Sequence, residues 1–244
     1  MTRGLNSTGI EYVHNTWNPV HGCKGPDGAG PCYYCYAERM AKRLAGRAGY
    51  PGDEPFRPVL YEEVLDAPLR RRSPTSIFAV SMGDLWGSWV PASWRNRVLE
   101  VVEAADQHTF MMLTKSPWGY DDFQHRSSNY LRIFPSNLWI GVTVDTPAAV
   151  NRLTVLRKDV GHARKMASFE PLRGDVAAEP GFSLEDIGWV TVGAMTNPGR
   201  QPRPEWVEGI LDAAEEVGAL VFLKDNLLWP GMQDKHRRTP EGFP

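Results

Sequence analysis

Short apolar runs alternate with amphipathic stretches along most of the chain. The runs are mostly continuous rather than alternating apolar and polar, which is the pattern of strands buried on both faces. Most of them stop at a Gly, Pro, Ser or Asp that favours a turn. The pattern predicts strands in 10–17, 76–82, 109–115, 138–145, 164–171, 187–194 and 219–225.

The stretches between the runs have helical spacing. Segment 94–106 places Val98, Val101 and Val102 on one face, and segment 204–218 begins at Pro204 and ends at Gly218. Proline in the first turn and glycine after the last turn are common helix boundaries. Strands that alternate with helices indicate parallel βαβ units.

These elements predict an α/β protein with a single, partial (β/α) barrel, and a doubly wound sheet is the main alternative. We expect the barrel to occupy residues 1–229, with an insertion at about 47–75 that breaks the strand–helix rhythm. Residues 230–244 are expected to form an irregular C-terminal tail.

Composition and charge narrow the class of protein. The chain has 244 residues, of which 42% are hydrophobic and 23% charged, as is typical of a globular protein. Its net charge of −2 argues against a wholly basic nucleic-acid coat but leaves room for a local basic groove. Since no apolar run reaches the roughly 18 residues of a membrane helix and the N-terminus does not resemble a signal peptide, we expect a cytoplasmic protein that makes no membrane contact.

All three cysteines lie between residues 23 and 35, with the spacing C-x8-C-x2-C. Cytoplasmic thiols stay reduced, so clustered cysteines favour a metal centre over disulfides. Cys23, Cys32 and Cys35 could hold a [4Fe–4S] cluster with one iron left open. Zinc is the alternative and would need a fourth ligand such as His14 or His21, and plain thiols are a third possibility.

Polar residues follow the apolar runs, where parallel barrels place their ligand sites. A helix-capping role is an equally good interpretation of Asp84 or Asp145 taken singly. It is the convergence of the whole set on one rim that indicates a site. The candidates are Asp84 just after the second run, Lys115 at the end of the third, Thr143 and Asp145 at the end of the fourth, and Glu170 at the end of the fifth.

A cysteine triad that follows the first strand and ends in C-x2-C with an aromatic residue next, here Tyr36, resembles the radical S-adenosylmethionine superfamily. More closely, the chain resembles a phage-borne, three-cysteine, radical-SAM-like family. The matching stretches are TWNPVHGC (16–23), CYYCYAERMAKRL (32–44), VSMGDLW (80–86), QHTFMMLTKSP (107–117), LWIGVTVDT (138–146), SFEPLRG (168–174), WVTVGAMTNPGRQPRPEWV (189–207) and FLKD (222–225).

This resemblance implies an enzyme that cleaves S-adenosylmethionine to a 5′-deoxyadenosyl radical, with a [4Fe–4S] cluster and an external electron donor. Asp84 and Lys115 would contact the amino and carboxylate groups of the cofactor, and Thr143 and Asp145 its ribose. Glu170 would bind ribose or substrate. The substrate is unknown, and a nucleic-acid base is one possibility.

The chain also departs from the superfamily pattern. Eight residues separate the first two cysteines where three are usual, and the turn Ser81–Asp84 lacks the usual Gly-Gly-Glu. Ala194 and Met195 stand where Gly and Glu are expected in relatives. These departures favour the alternative function, a degenerate barrel with a structural cluster or zinc that binds nucleic acid or a partner protein.

Overall fold

A computed structural model describes residues 4–26, 28–125, 133–230, 232 and 234–244. Its strands are β1 (Leu5–Ser7), β2 (Asn15–Trp17), β3 (Val20–His21), β4 (Val59–Leu60), β5 (Ser76–Ala79), β6 (Thr109–Thr114), β7 (Leu138–Thr143), β8 (Arg164–Phe169), β9 (Trp189–Val192), β10 (Met195–Thr196), β11 (Gly199–Arg200) and β12 (Leu220–Leu223). Its α-helices are α1 (Tyr36–Arg43), α2 (Ala92–Ala104), α3 (Gly119–His125), α4 (Asn151–Asp159) and α5 (Pro204–Val217).

One eight-stranded sheet organises the molecule, in the order β1-β2-β5-β6-β7-β8-β9-β12. The seven strands from β2 to β12 are parallel and lie side by side in chain order. Only β1 is antiparallel, and it pairs with β2 at the edge. In the part of the chain that the structure describes, the outer strands β1 and β12 do not pair, so the barrel is partial, as predicted.

Alternate residues of the central strands enter two different cores. In β7, Leu138, Ile140 and Val142 pack towards the helices, whereas Trp139 points into the barrel. The interior core is largely aromatic: Trp189 contacts Tyr12 at a ring-centroid distance of 5.7 Å and Trp139 at 5.9 Å. Because both faces of each strand are buried, the sequence shows continuous apolar runs rather than alternation.

Six of the seven predicted strands agree with the structure to within a few residues at each end. The first is shorter than expected, because residues 10–13 form a turn in which Val13 N–H donates to the Ile10 carbonyl at 3.3 Å. β1 was not predicted. Helix α5 ends as expected, with Gly218 in the left-handed conformation at φ 71°.

Residues 47–75, which we expect to be an insertion and call the insertion below, contain β4, which pairs with β3 through Val20 and Leu60. The C-terminal tail folds back under the barrel, where Arg238 N–H donates to the Val221 carbonyl at 2.8 Å and the Phe243 ring lies 4.8 Å from Trp189. None of the helices in the described residues has the length and apolar character needed to cross a bilayer.

Candidate functional site

A cavity of about 780 Å³ opens at the carboxyl ends of the parallel strands. This is the end at which parallel barrels bind their ligands, and the volume lies within the usual range for ligand sites. Cys23, Cys32 and Cys35 line one side of the cavity. Four of the five residues predicted to bind cofactor also line it, namely Asp84, Lys115, Thr143 and Glu170. The fifth, Asp145, lies outside the set of lining residues.

Local contacts and the insertion shape the cysteine loop. Gly25 N–H donates to Cys23 Sγ at 3.2 Å, and Gly30 N–H donates to the Lys24 carbonyl at 2.8 Å. Gly25 has a φ of 79°, and a Cβ there would lie 1.8 Å from the Gly30 oxygen, so only glycine fits. From the insertion, the Phe56 carbonyl accepts a hydrogen bond from Cys23 N–H at 3.3 Å.

Cys35 begins helix α1 as its N-cap, and its Sγ accepts a hydrogen bond from Glu38 N–H at 3.4 Å. The backbone of the C-x2-C pair forms a turn in which Cys35 N–H donates to the Cys32 carbonyl at 2.8 Å. Sulfur at a helix N-terminus is favourably placed to carry negative charge.

The three free thiols are close enough to influence one another electrostatically. Burial raises the pKa of Cys23 far above its ordinary value, and Asp84, Cys35 and Cys32 add to the rise. Burial also raises the pKa of Cys35. Thiols in the lining of a cavity fit a soft cation or an iron–sulfur cluster, which would bind them as thiolates in place of their protons.

The described His, Cys, Asp and Glu side chains do not already form a group of three or more arranged as metal ligands.

Neither histidine considered as a fourth zinc ligand lines the cavity. His14 Nδ1 is hydrogen-bonded to Ser76 Oγ at 2.8 Å. His21 packs between Tyr50 and Tyr61, with ring-centroid distances of 5.0 Å and 4.5 Å, and burial lowers its pKa to about 4. His14 is thus already hydrogen-bonded, whereas the buried Nδ1 of His21 has no hydrogen-bond partner among the described residues.

Asp84 is buried and hydrogen-bonded by three donors of the protein. Its Oδ1 accepts from Thr114 Oγ1 at 2.6 Å and from Trp86 N–H at 3.0 Å, and its Oδ2 accepts from Lys115 N–H at 3.0 Å. Burial raises the pKa of this carboxyl, although the three hydrogen bonds oppose the rise. Asp84 therefore joins the residues that follow β5 to the end of β6 at the cavity wall.

Asp145 is the centre of a charged cluster. Its Oδ2 accepts from Arg173 Nη2 at 2.8 Å, from Lys115 Nζ at 3.3 Å and from the Tyr34 hydroxyl, and its Oδ1 accepts from Arg152 Nη1 at 3.2 Å. Burial opposes ionisation, but these partners outweigh it and hold the pKa of Asp145 well below its usual range. We call Asp145, Lys115, Arg152 and Arg173 the cation cluster.

Glu170 also lines the cavity. Its Oε1 forms an ion pair with Lys224 Nζ, and its Oε2 accepts from the Tyr12 hydroxyl at 3.5 Å. Thr143 ends β7 at the cavity wall, and its carbonyl accepts from Arg152 Nη1 at 2.7 Å. A carboxylate, an ammonium group and hydroxyls therefore share this wall.

Several partners were not predicted as site residues. Arg152 lies on α4 rather than at a strand end, and Arg173 and Tyr34 appeared only within the stretches that carried the resemblance. Of the tryptophans near strand ends, Trp17 and Trp86 are buried in the core, and Trp118 is 54% exposed. After β9, where Ala194 and Met195 depart from the superfamily pattern, the Ala194 backbone forms two hydrogen bonds with the Asn226 side chain.

The fold and site together define an α/β protein with a partial parallel barrel and a three-cysteine cavity at its strand ends. The chain belongs to the family described as "Protein of unknown function (DUF5131)", whose profile matches residues 7–241. No curated protein matches the sequence.

Solved structures of spore photoproduct lyase share the fold. A double mutant with bound AdoMet and dinucleoside spore photoproduct has a TM-score of 0.55 and 14% identity, and the alignment covers 87% of this chain and 64% of that one. A single mutant with the dinucleoside alone has a TM-score of 0.54, 13% identity and coverage of 87% and 63%. This chain therefore spans a little under two thirds of the lyase chains that it matches.

Proposed function

We propose that this protein is a radical S-adenosylmethionine enzyme that holds a [4Fe–4S] cluster through Cys23, Cys32 and Cys35. The observation that carries the proposal is that all three thiols line the same cavity as Lys115, Thr143 and Glu170, at the carboxyl ends of the strands. When bound and reduced, the cluster would supply the electron that cleaves S-adenosylmethionine to a 5′-deoxyadenosyl radical. An external electron donor is required.

The polar lining suits a zwitterionic cofactor. Lys115 stands next to the cysteine loop and would bind the cofactor carboxylate, while Thr143 would bind the ribose. Asp84 already accepts three hydrogen bonds, so its role towards the amino group would be to use a remaining lone pair. The strand-end and cavity positions support these assignments.

Asp145 would act on the cofactor indirectly. It lies outside the cavity lining and pairs with Lys115, so it would orient that ammonium group rather than contact ribose. The rest of the cation cluster would hold Asp145 ionised for this purpose.

We further propose that the substrate is a nucleic-acid base. The fold shared with spore photoproduct lyase, which has been solved with a dinucleoside, supports this assignment. The Glu170–Lys224 pair also supports it, because an adjacent acceptor and donor in a partly buried wall can hydrogen-bond to the polar edge of a base. A reducing compartment such as the cytoplasm would keep the thiols available.

The test is anaerobic reconstitution with iron and sulfide. We expect about four irons per chain and, with dithionite, conversion of S-adenosylmethionine to 5′-deoxyadenosine measured by mass spectrometry. A Cys32→Ser variant should lose both the bound iron and the formation of 5′-deoxyadenosine. Stoichiometric zinc without iron, or no heat of binding at millimolar S-adenosylmethionine, would overturn the enzyme and favour a structural metal in a binding module.

The substrate is tested separately with DNA or RNA built from deuterated nucleotides. Transfer of deuterium into 5′-deoxyadenosine is expected for the nucleic acid that serves as substrate. If the cofactor is cleaved but deuterium is never transferred, the result supports the radical enzyme and contradicts the proposal that its substrate is a nucleic acid.

A further inference from the structure

The middle of the C-x2-C turn is bound to residues that follow two central strands, at the same rim of the barrel. Tyr34, between Cys32 and Cys35, donates its hydroxyl hydrogen to Asp145 Oδ2, and the same hydroxyl accepts a hydrogen bond from Lys115 Nζ. Tyr34 thus links the loop after β3 to residues that follow β6 and β7.

The Tyr34 ring has cationic partners as well. Lys115 Nζ lies 4.6 Å from the ring centroid, and the Arg173 guanidinium lies 4.8 Å from it. Cations over the face of a tyrosine are attracted by its π electrons. Both ends of the side chain, the ring and the hydroxyl, therefore contact the cation cluster.

The charge balance explains why a hydroxyl is suited to this position. Asp145 carries one negative charge among three cations, so the cluster holds a surplus of two positive charges beside the cysteine loop. A hydroxyl can donate to the carboxylate and accept from the ammonium group at the same time, whereas phenylalanine can do neither. Hydrogen bonds to charged groups are stronger than those between neutral groups.

Cys23 has a different attachment. Its sulfur accepts from Gly25 N–H within its own loop, and its backbone is bound to the insertion through Phe56. Loss of the Tyr34 hydroxyl should therefore release the Cys32–Cys35 turn without releasing Cys23.

We infer that Tyr34 is a positioning residue, which fixes the C-x2-C turn against the cation cluster and so sets where two of the three thiols stand relative to Lys115. Its importance for a bound cofactor rests on the proposed function. The anchoring itself does not, and it can be measured on the protein without any metal.

The experiment is pulsed alkylation with iodoacetamide of the reduced, metal-free protein. Trypsin cleavage after Lys24 places Cys23 in a different peptide from Cys32 and Cys35, which lie together in peptide 25–39. In Tyr34→Phe we expect peptide 25–39 to be alkylated about tenfold faster than in the wild type, a factor that corresponds to ~1.4 kcal/mol. The Cys23 peptide should change by less than about twofold.

Tyr36→Phe is the matched control, because it removes a hydroxyl from an exposed ring directly after Cys35. It should leave both rates unchanged. Equal rates for peptide 25–39 in Tyr34→Phe and the wild type, or equal acceleration of both peptides, would overturn the inference. Since no cluster is needed, this failure is distinct from failure of the proposed enzyme.

A double-mutant cycle separates a specific contact from general loosening. If Tyr34 acts through Asp145, the double variant with Tyr34→Phe and Asp145→Asn should show no faster alkylation of peptide 25–39 than the faster of the two single variants. If the rate increases of the two single variants multiply in the double variant, the inference is overturned. Should Asp145→Asn fail to fold, Lys115→Met completes the cycle with the other partner of the hydroxyl.

Discussion

The backbone N–H of Lys115 donates a hydrogen bond to Asp84 Oδ2 at 3.0 Å. Asp84 and Lys115 are expected to bind opposite charges of the cofactor. This hydrogen bond joins them to each other across neighbouring strands. A substitution at Asp84 can therefore change the backbone position of Lys115 as well as the charge in the cavity.

Asp84→Ala should lower the free energy of unfolding by ~3 kcal/mol, because it leaves buried donors on Thr114, Trp86 and Lys115 without their acceptor. Asp84→Asn should cost less, since it keeps one acceptor oxygen. Urea denaturation measures both variants. Asp212→Ala, on the exposed face of α5, is the control and should change little; a loss no larger than this control would refute the structural role.

Asp84 and Asp145 should affect acid stability with opposite signs. The folded pKa of Asp145 is depressed, so its stabilisation is complete above the ordinary aspartate pKa of about 3.9 and is lost as pH falls below it. The folded pKa of Asp84 is raised, so protonation of Asp84 favours the folded state as pH falls through that raised value.

Stability measured between neutral pH and about pH 3 tests this difference. Relative to the wild type, Asp145→Asn should lose stability less steeply towards acid, and Asp84→Asn more steeply. Parallel curves for the two variants would show that their folded pKa values are not shifted in opposite directions.

Lys115→Met should weaken binding of S-adenosylmethionine by roughly ten- to hundredfold, the loss of a charge-assisted hydrogen bond. Asp145 keeps Arg152 and Arg173 as partners, so the fold should survive. Calorimetry on the reconstituted protein measures the affinity. Lys158→Met, on the exposed face of α4, should bind like the wild type. Equal affinity in Lys115→Met would remove this residue from the cofactor site.

Gly141 lies inside β7, where a Cβ would stand 2.4 Å from both the carbonyl oxygen and Cγ of Met166 on β8. Gly141→Ala should therefore force two adjacent strands apart and destabilise the protein by ~3 kcal/mol, at the upper end for overpacking. Thermal unfolding compares it with Gly9→Ala, where open space surrounds the new methyl group. Similar melting temperatures would contradict the close approach of these strands.

The sequence by itself determined the partial parallel barrel, the positions of six of its parallel strands and the cysteine triad that follows the first. Continuous apolar runs show that both faces of a strand are buried, and Trp139 and Ile140 indeed enter different cores. Strand ends then indicated which polar residues line the cavity, because parallel strands share one carboxyl edge. Asp84, Lys115, Thr143 and Glu170 do line the cavity, whereas Asp145 does not. The iron–sulfur cluster, the phage association and the residue roles stay predictions.

Only the tertiary structure decided how these residues pair. Tyr34 and Asp145 are 111 positions apart, and no local pattern shows that they meet. Arg152 reaches Asp145 from a helix, where an arginine looks like any other surface charge. The position of Asp145 outside the cavity lining has the same origin. Burial and side-chain direction depend on what packs on an element from distant parts of the chain, whereas strand and helix patterns depend on the element's own residues.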